Sequence, residues 1–153
     1  MSLFDVNSFE QSHEIIKEVY EMSQLKTCPI EATFRIIGKR WTVLILREMF
    51  MGTKQFNRMH EKVSGITSKM LSLRLRELER NKIIERKIVS KYPIRVEYEL
   101  TELGEKLGPL LLLAASFSMQ QLPKVIFKDG KPRDPRKLIT KYQESQLGSS
   151  AHT

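Results

Sequence analysis

The segment 67–81, TSKMLSLRLRELERN, constrains the fold of this chain most, because most of its leucines and most of its cations fall on opposite sides of a helix. With about 3.6 residues per turn, Leu71, Leu75 and Leu78 form one apolar stripe. The opposite side carries Lys69, Arg76 and Arg80 together with Leu73, and Ser72 lies beside them. Such a helix needs a core beneath its leucines and presents a basic face to its surroundings.

A second, shorter helix is predicted just before this segment, from Lys54 to about Val63, with Thr53 as its N-cap. The tripeptide Ser64-Gly65-Ile66 makes a tight connection, after which Thr67 opens the basic helix. Two short helices joined by a glycine-containing turn are typical of a helix-turn-helix, whose second helix reads nucleic acid. Basic amphipathic helices also occur in proteins that bind no nucleic acid, so the pattern alone leaves both interpretations open.

Two strand-like segments follow, Ile84 to Val89 and Arg95 to Thr101, and the four residues 91–94 predict a turn between them. A hairpin directly after a recognition helix is a wing, spanning about 84–100. Its tip would offer Lys91 and Arg95 to phosphates or to the minor groove. The alternative is a structural hairpin with a solvated lysine.

Three helices are predicted before the helix-turn-helix. The first runs from about Ser8 to Leu25, with Ser8 and Gln11 arranged as a capping box and an acidic outer face. The second begins at Cys28-Pro29 and breaks near Gly38, because proline suits the first helical position. The third, Trp41 to Met51, is apolar and predicts a central buried helix that ends at Gly52.

One long helix is predicted after the wing, from Glu102 to about Gln121 with Thr101 as its cap. Its middle is apolar nearly all round, so in water another element must cover it. The second subunit of a two-fold dimer is the expected cover, and the segment from Lys124 to Thr153 is the alternative. The predicted organisation is a dimerisation helix in 1–27, a winged helix-turn-helix with a dimerisation helix in 28–122, and a basic, partly disordered extension in 123–153.

The charge of the chain is concentrated in its middle. Residues 54–95 contain 12 Lys and Arg against four Asp and Glu, a surplus equal to the net charge of +8 of all 153 residues. Such a stripe favours a polyanion as partner, although a solvated basic face is the alternative. A single cysteine excludes an internal disulfide, and no apolar run approaches the roughly 20 residues of a membrane span. We therefore expect a reduced, cytoplasmic protein with no membrane partner.

Catalysis finds little support in the sequence. The histidines His13, His60 and His152 are scattered, no set of ligands has metal spacing, and no glycine-rich phosphate loop is present. We expect no metal, no cofactor and no enzymatic activity. The alternative from another class is a winged-helix adaptor whose basic hairpin binds an acidic protein. RNA is disfavoured because the basic face lacks aromatic side chains for stacking.

An ordered series of short motifs lies between about residues 28 and 115. The motifs are Cys28-Pro29, Ile37-Gly38-Lys39-Arg40-Trp41, Phe56, Gly65-Ile66-Thr67, Leu71 to Leu78, and Val96 to Thr101 with Gly104. The series resembles the HxlR-type winged-helix transcriptional regulators, relatives of the MarR group. The resemblance implies a dimeric DNA-binding regulator with an α+β, mostly α, winged helix-turn-helix fold. It also implies that Cys28 matches the cysteine through which some members respond to oxidants or electrophiles.

Three departures from the family pattern concern turns. The usual Gly-Gly-Lys-Trp appears here as Gly38-Lys39-Arg40-Trp41, Lys82 replaces the glycine common after the recognition helix, and the paired prolines of the wing are reduced to Pro93. These changes affect the turns and leave the fold prediction unchanged.

The fold and the charge pattern together assign roles to particular residues. The expected base-reading residues are Ser68, Lys69, Ser72 and Arg76, and the expected phosphate or wing contacts are Lys54, Arg58, Thr67, Arg74, Lys91 and Arg95. Arg74 could instead pair with a neighbouring glutamate. A dimer would place two such helices on a pseudo-palindromic operator in double-stranded DNA.

Cys28 is a candidate redox sensor, because the partial positive charge at a helix N-terminus favours the thiolate. A buried cysteine that packs beside Pro29 is the alternative. If Cys28 is a sensor, the effector is an oxidant or another small molecule. Trp41 and the seven methionines are expected in the core, with an effector pocket in a dimer cleft as the alternative.

Overall fold

The computed structural model describes residues 9–22 and 25–133. The chain divides into two compact units, Met1–Leu107 and Gly108–Thr153. The first unit contains α1 (Phe9–Glu21), α2 (Pro29–Ile37), α3 (Thr42–Phe50), α4 (Phe56–Lys62), α5 (Ser68–Arg80), β1 (Ile84–Lys91), β2 (Ile94–Leu100) and α6 (Glu102–Glu105). The second contains α7 (Gly108–Gln121) and α8 (Pro123–Ile126).

Helix α5 confirms the predicted apolar stripe. Leu71, Leu75 and Leu78 are 0%, 1% and 2% exposed. The helix begins where predicted, because the Thr67 hydroxyl accepts a hydrogen bond from the Met70 N–H at 3.2 Å. The leucines join a core whose other members are Ile37, Ile45, Leu46, Met49, Met59, Val63, Ile66, Ile83 and Ile84.

Helix α4 begins later than predicted. Its first residue is Phe56, and Thr53 does not cap it. The backbone before it is engaged elsewhere, since the Tyr98 N–H donates to the Lys54 carbonyl at 2.8 Å and holds this segment beside β2. The Thr53 hydroxyl is buried and accepts a hydrogen bond from Lys62 Nζ at 3.1 Å.

The predicted wing is present as one antiparallel hairpin. Its register runs from Ile84 opposite Leu100 to Lys91 opposite Ile94, with an irregularity between Ile88 and Ser90. Both strands reach further toward the tip than predicted, so that only Tyr92 and Pro93 form the turn. This hairpin directly after α4 and α5 confirms the winged helix-turn-helix fold.

The helices before the winged helix largely follow the sequence pattern. Cys28 is the N-cap of α2, and its Sγ accepts a hydrogen bond from the Glu31 N–H at 3.3 Å. Helix α3 buries one face only, because Val43 and Phe50 are more than a third exposed. Gly52 follows α3 with φ +87°, as its predicted role at the helix end requires. Ser8, the predicted cap of α1, lies outside the described residues.

Lys82 occupies the turn between α5 and β1 with φ +59°, a left-handed conformation that favours glycine. The chain therefore keeps the backbone geometry of a glycine turn while carrying a lysine there. A left-handed non-glycine residue costs about 1–2 kcal/mol. This departure from the family pattern therefore adds a local energetic cost at the turn.

The prediction of a single helix over 102–121 is wrong. The predicted cap is present, since the Thr101 hydroxyl accepts from the Gly104 N–H at 3.1 Å, but α6 ends at Glu105. Proline lacks the N–H that would continue the helical hydrogen bonds, and Pro109 lies in the first turn of α7. The break coincides with the boundary between the two units, and the predicted domain limits remain a prediction.

Helix α7 has no buried residue, although its sequence is GPLLLLAASFSMQQ. Leu113 and Phe117 are 38% and 58% exposed. The predicted need for a cover therefore remains. Most of the alternative cover, Lys124 to Thr153, lies outside the described residues.

Candidate nucleic-acid interface

The outer face of α5 carries the four residues predicted to read bases. Ser68, Lys69 and Arg76 are exposed, and Ser72 is partly exposed. Arg76 Nε donates to the Ser72 carbonyl at 3.4 Å, and Ser68 Oγ lies 3.4 Å from His60 Nε2 on α4. Sequence reasoning missed His60, because nothing in its spacing from Ser68 distinguishes it from a surface histidine.

Among the described residues of the first unit, most cations without an ion pair lie on α5, the turn after it and the wing, although Arg74 and Lys87 there are paired. Within the described residues of this unit, seven cations of α5, the turn after it and the wing have no ion pair: Lys69, Arg76, Arg80, Lys82, Arg86, Lys91 and Arg95. The other two such cations are Lys26 and Arg40, and the Arg40 guanidinium lies 4.5 Å from the centre of the Trp41 ring. The unneutralised positive charge is therefore concentrated on the helix and hairpin that a winged helix turns toward DNA.

Lys54, a predicted phosphate contact, is engaged by the wing. Its Nζ lies 2.6 Å from Glu99 Oε1, while Lys87 Nζ lies 2.6 Å from Glu99 Oε2. The ammonium groups of Lys54 and Lys87, in that order of effect, lower the pKa of Glu99 to about 2. The carboxylate raises the pKa of Lys54 in return. This network joins the segment before α4 to both strands of the wing.

Arg74, another predicted phosphate contact, makes the ion pair that was its alternative. Its Nη1 lies 2.6 Å from Glu77 Oε2, its Nε donates to the Arg40 carbonyl at 3.3 Å, and its side chain is only 14% exposed. Lys39 Nζ occupies the other Glu77 oxygen at 2.8 Å. The hydrogen bond from Lys39, aided by Arg74, lowers the pKa of Glu77. These contacts fasten the turn between α2 and α3 to the recognition helix.

The remaining predicted phosphate contacts are accessible. Arg58 is largely exposed, with a contact of 3.4 Å to Glu61. Thr67 lies at the N-terminus of α5, and Lys91 and Arg95 flank the tip of the wing. Tyr92 at that tip is 95% exposed, so the hairpin presents an aromatic side chain between its two cations.

Cys28 lies apart from this surface, at the start of α2. Its Sγ is 2.7 Å from the Tyr20 hydroxyl of α1, and the thiol is partly exposed and not buried beside Pro29. The hydrogen bonds from Tyr20 and from the Glu31 N–H lower the pKa of Cys28. The same contact raises the pKa of Tyr20. The arrangement favours the thiolate, the reactive form of cysteine.

The part of the chain that the structure describes holds neither a cluster of metal ligands nor a membrane-spanning helix. No three His, Cys, Asp or Glu side chains there lie close enough together to hold a metal ion. None of its helices has the length and apolar character to cross a bilayer.

The chain is similar to known bacterial regulators over the winged-helix region. It is 41% identical over 93 residues to YdeP of Bacillus subtilis (strain 168), which is named as an HTH-type transcriptional regulator. The aligned residues cover 61% of this chain and 73% of YdeP. Its fold is similar to the reduced form of the transcriptional regulator YodB from B. subtilis, with 38% identity, a TM-score of 0.55, and coverage of 60% of this chain and 91% of that one. The redox regulator HypR in its oxidized form is also 38% identical, with a TM-score of 0.56 and coverage of 60% and 94%.

A family model described as HxlR-like helix-turn-helix matches residues 36–126. That span holds α3, both helices of the helix-turn-helix, the wing and α7. On this match the chain belongs to the HxlR-like helix-turn-helix family of DNA-binding transcriptional regulators.

Proposed function

We propose that the protein regulates transcription by binding double-stranded DNA as a homodimer, with α5 in the major groove and the wing at the adjacent minor groove. The observation that carries this proposal is the concentration of unneutralised cations on α5 and the wing. A protein–protein adaptor is less favoured, because this charge coincides with the two elements that contact DNA in winged helices. We further propose that the protein acts in the cytoplasm and without catalysis.

Base reading falls to the exposed face of α5. Arg76 is the strongest candidate, since the fork of a guanidinium matches the paired acceptors of guanine and contributes roughly 1–3 kcal/mol of discrimination. Ser68, Lys69 and Ser72 lie on the same face. Arg58, Thr67, Lys91 and Arg95 would bind phosphates, whereas Lys54 and Arg74 would act through their ion pairs by holding the wing and α5 in place.

The dimer follows from the apolar surface of α7. A helix that is apolar all round and has no buried residue is stable in water only when another surface covers it. A second copy of α7 in a two-fold arrangement is the simplest such cover. Two recognition helices related by this symmetry would read half-sites about one helical turn apart, which implies a pseudo-palindromic operator.

Oxidants or electrophiles are the proposed effectors, with Cys28 as their target. The lowered pKa of its thiol and its partial exposure support this role, as does the redox behaviour named for HypR. A single cysteine can form a mixed disulfide with a small thiol or a bridge to Cys28 of a second subunit. Release of DNA by diamide in the natural protein but not in Cys28→Ser would support the proposal, and equal release in both would refute it.

Selection of binding sites from a random 30-base-pair library tests the DNA-binding proposal. We expect the natural protein to enrich a pseudo-palindrome and Arg76→Ala to lose roughly tenfold or more of its preference for that sequence. Arg35→Ala is the matched control, because Arg35 is an exposed arginine of α2 paired with Glu31. Affinity should fall steeply with salt, by about 0.9 logarithmic units per phosphate contact for each tenfold rise in salt. No enriched sequence, or salt-insensitive binding, would contradict the proposal and favour the adaptor.

A further inference from the structure

We propose that the cleft between the recognition helix and the wing seats one backbone phosphate of the DNA, held by Arg86 and the Tyr98 hydroxyl. This assignment rests on the proposed DNA binding and adds two residues that the sequence patterns did not single out. It concerns an interaction common to all DNA sequences, so it predicts an effect on affinity that is separable from base reading.

The cleft has a volume of about 350 Å³ and draws its walls from three elements. Its lining residues are Phe56 of α4, Ser72, Arg76 and Glu79 of α5, and Arg86 and Tyr98 of the wing. Arg86 and Tyr98 are directly opposite each other across the two strands, so their side chains lie on the same face of the hairpin. One guanidinium and one phenol hydroxyl can therefore approach the same oxygen atoms.

The two faces of the wing differ in charge. Successive residues of a strand point to opposite faces, and Lys87, the neighbour of Arg86, is neutralised by Glu85 and Glu99. Arg86 makes no ion pair within the described residues and is exposed. The face that lines the cleft thus keeps the positive charge of Arg86. On the opposite face, internal ion pairs neutralise Lys87.

The geometry of duplex DNA places a phosphate over this cleft. The sugar–phosphate backbone is the ridge between the major and minor grooves, so a protein with a helix in one groove and a hairpin in the other must straddle that ridge. The gap between helix and hairpin then faces the phosphates directly. Arginine binds phosphate through two parallel N–H donors, and tyrosine hydroxyls commonly donate to DNA phosphates.

Glu79 fixes which side of the cleft the phosphate occupies. Its carboxylate lines the helix side and has no ion pair within the described residues. A phosphate is repelled by that charge and is therefore expected nearer to the wing, against Arg86 and Tyr98. Arg76 remains free to reach the base edges from the same rim.

Fluorescence anisotropy with a labelled 30-base-pair duplex tests the phosphate seat, using both the selected sequence and an unrelated one. We expect Arg86→Gln to weaken binding to both duplexes by roughly tenfold and to lower the salt slope by about 1. Tyr98→Phe should weaken both several-fold without changing the slope, because it removes a donor but no charge. Glu79→Gln should tighten both, and Arg35→Gln should change neither.

A duplex in which single phosphates are replaced by neutral methylphosphonates locates the contact. The natural protein should lose affinity at several backbone positions in each half-site, and at one of them Arg86→Gln should lose nothing further. If Arg86→Gln leaves both affinity and slope unchanged while the natural protein binds DNA, the seat is refuted and the proposed function stands. If the natural protein binds neither duplex, the proposed function itself fails.

Discussion

Single side chains decide the chemistry of the Cys28 thiol. The Cys28 thiol receives two hydrogen bonds, from the Tyr20 hydroxyl at 2.7 Å and the Glu31 N–H at 3.3 Å. Both stabilise the negative charge of the thiolate, and the pKa of Cys28 is lowered mainly by the first. The Tyr20 phenol on α1 thus lowers the pKa of the Cys28 thiol at the start of α2, so both helices contribute to the reactivity of this thiol.

Tyr20→Phe should raise the pKa of Cys28 toward its ordinary value, because the donor with the largest effect is lost. The rate of alkylation by iodoacetamide, measured against pH by mass spectrometry, reports the thiolate fraction. We expect the midpoint of that profile to move to higher pH in Tyr20→Phe. Tyr92→Phe, which alters an exposed tyrosine of the wing, is the control and should leave the profile in place. Identical profiles for Tyr20→Phe and the natural protein would mean that the hydroxyl does not stabilise the thiolate.

Elements built from local patterns are the ones that the sequence predicts well. The leucine stripe of α5, its Thr67 cap and the start of α2 at Pro29 depend on residues only a few positions apart. Their physical causes, helical periodicity and capping, can be read without knowing the fold. The recognition helix and the wing follow from such patterns, and they position the proposed interface.

Elements fixed by distant contacts are those that the sequence does not predict. The start of α4 depends on a hydrogen bond between Tyr98 and Lys54, and Lys39 reaches Glu77 across 38 positions. Whether Lys54 and Arg86 are ion-paired or accessible likewise depends on which face of the wing packs beside which helix. Basic residues of equal appearance in the sequence are therefore divided by the fold into ion-paired positions and accessible ones.

The ion pairs of Glu99 are one of the attachments between the wing and the rest of the first unit, and this attachment should depend on pH. The pKa of Glu99 is depressed to about 2 in the folded protein, from an ordinary value of 4.5. A depressed pKa means that the ion pairs contribute stability above the ordinary value and lose it as the pH falls toward 2. Glu99→Gln should therefore lower Tm by on the order of 1–3 °C at pH 6, a small effect because the pairs are exposed.

Thermal unfolding followed by circular dichroism between pH 6 and pH 2 measures this difference. The gap in Tm between the natural protein and Glu99→Gln should shrink as the pH falls below 4.5 and vanish near 2. Glu97→Gln is the matched control, since Glu97 lies on the same strand without an ion pair in the described part of the chain. A gap that stays constant across this range would show that the carboxylate charge of Glu99 contributes nothing to stability.

At the scale of the whole molecule, two features of the described residues favour partners outside the single chain. Within those residues, seven cations of α5, the turn after it and the wing have no ion pair, and no residue of α7 is buried. A polyanion satisfies the first requirement and a second copy satisfies the second. The two are linked by symmetry, because a two-fold dimer presents two basic helices to one duplex and so doubles the number of phosphate contacts.

Phe117→Glu should convert the proposed dimer into a monomer, because it introduces a charge at an α7 position that is 58% exposed in the single chain and buried in the proposed interface. Sedimentation velocity at micromolar concentration measures the mass directly. Gln121→Glu, at the end of the same helix, carries an equal charge and should remain dimeric.

The monomer should still bind a duplex with one half-site, but it should lose the roughly 10²-fold gain in affinity or more that linking two half-sites provides. A Phe117→Glu protein that sediments as a dimer would exclude this face of α7 from the interface.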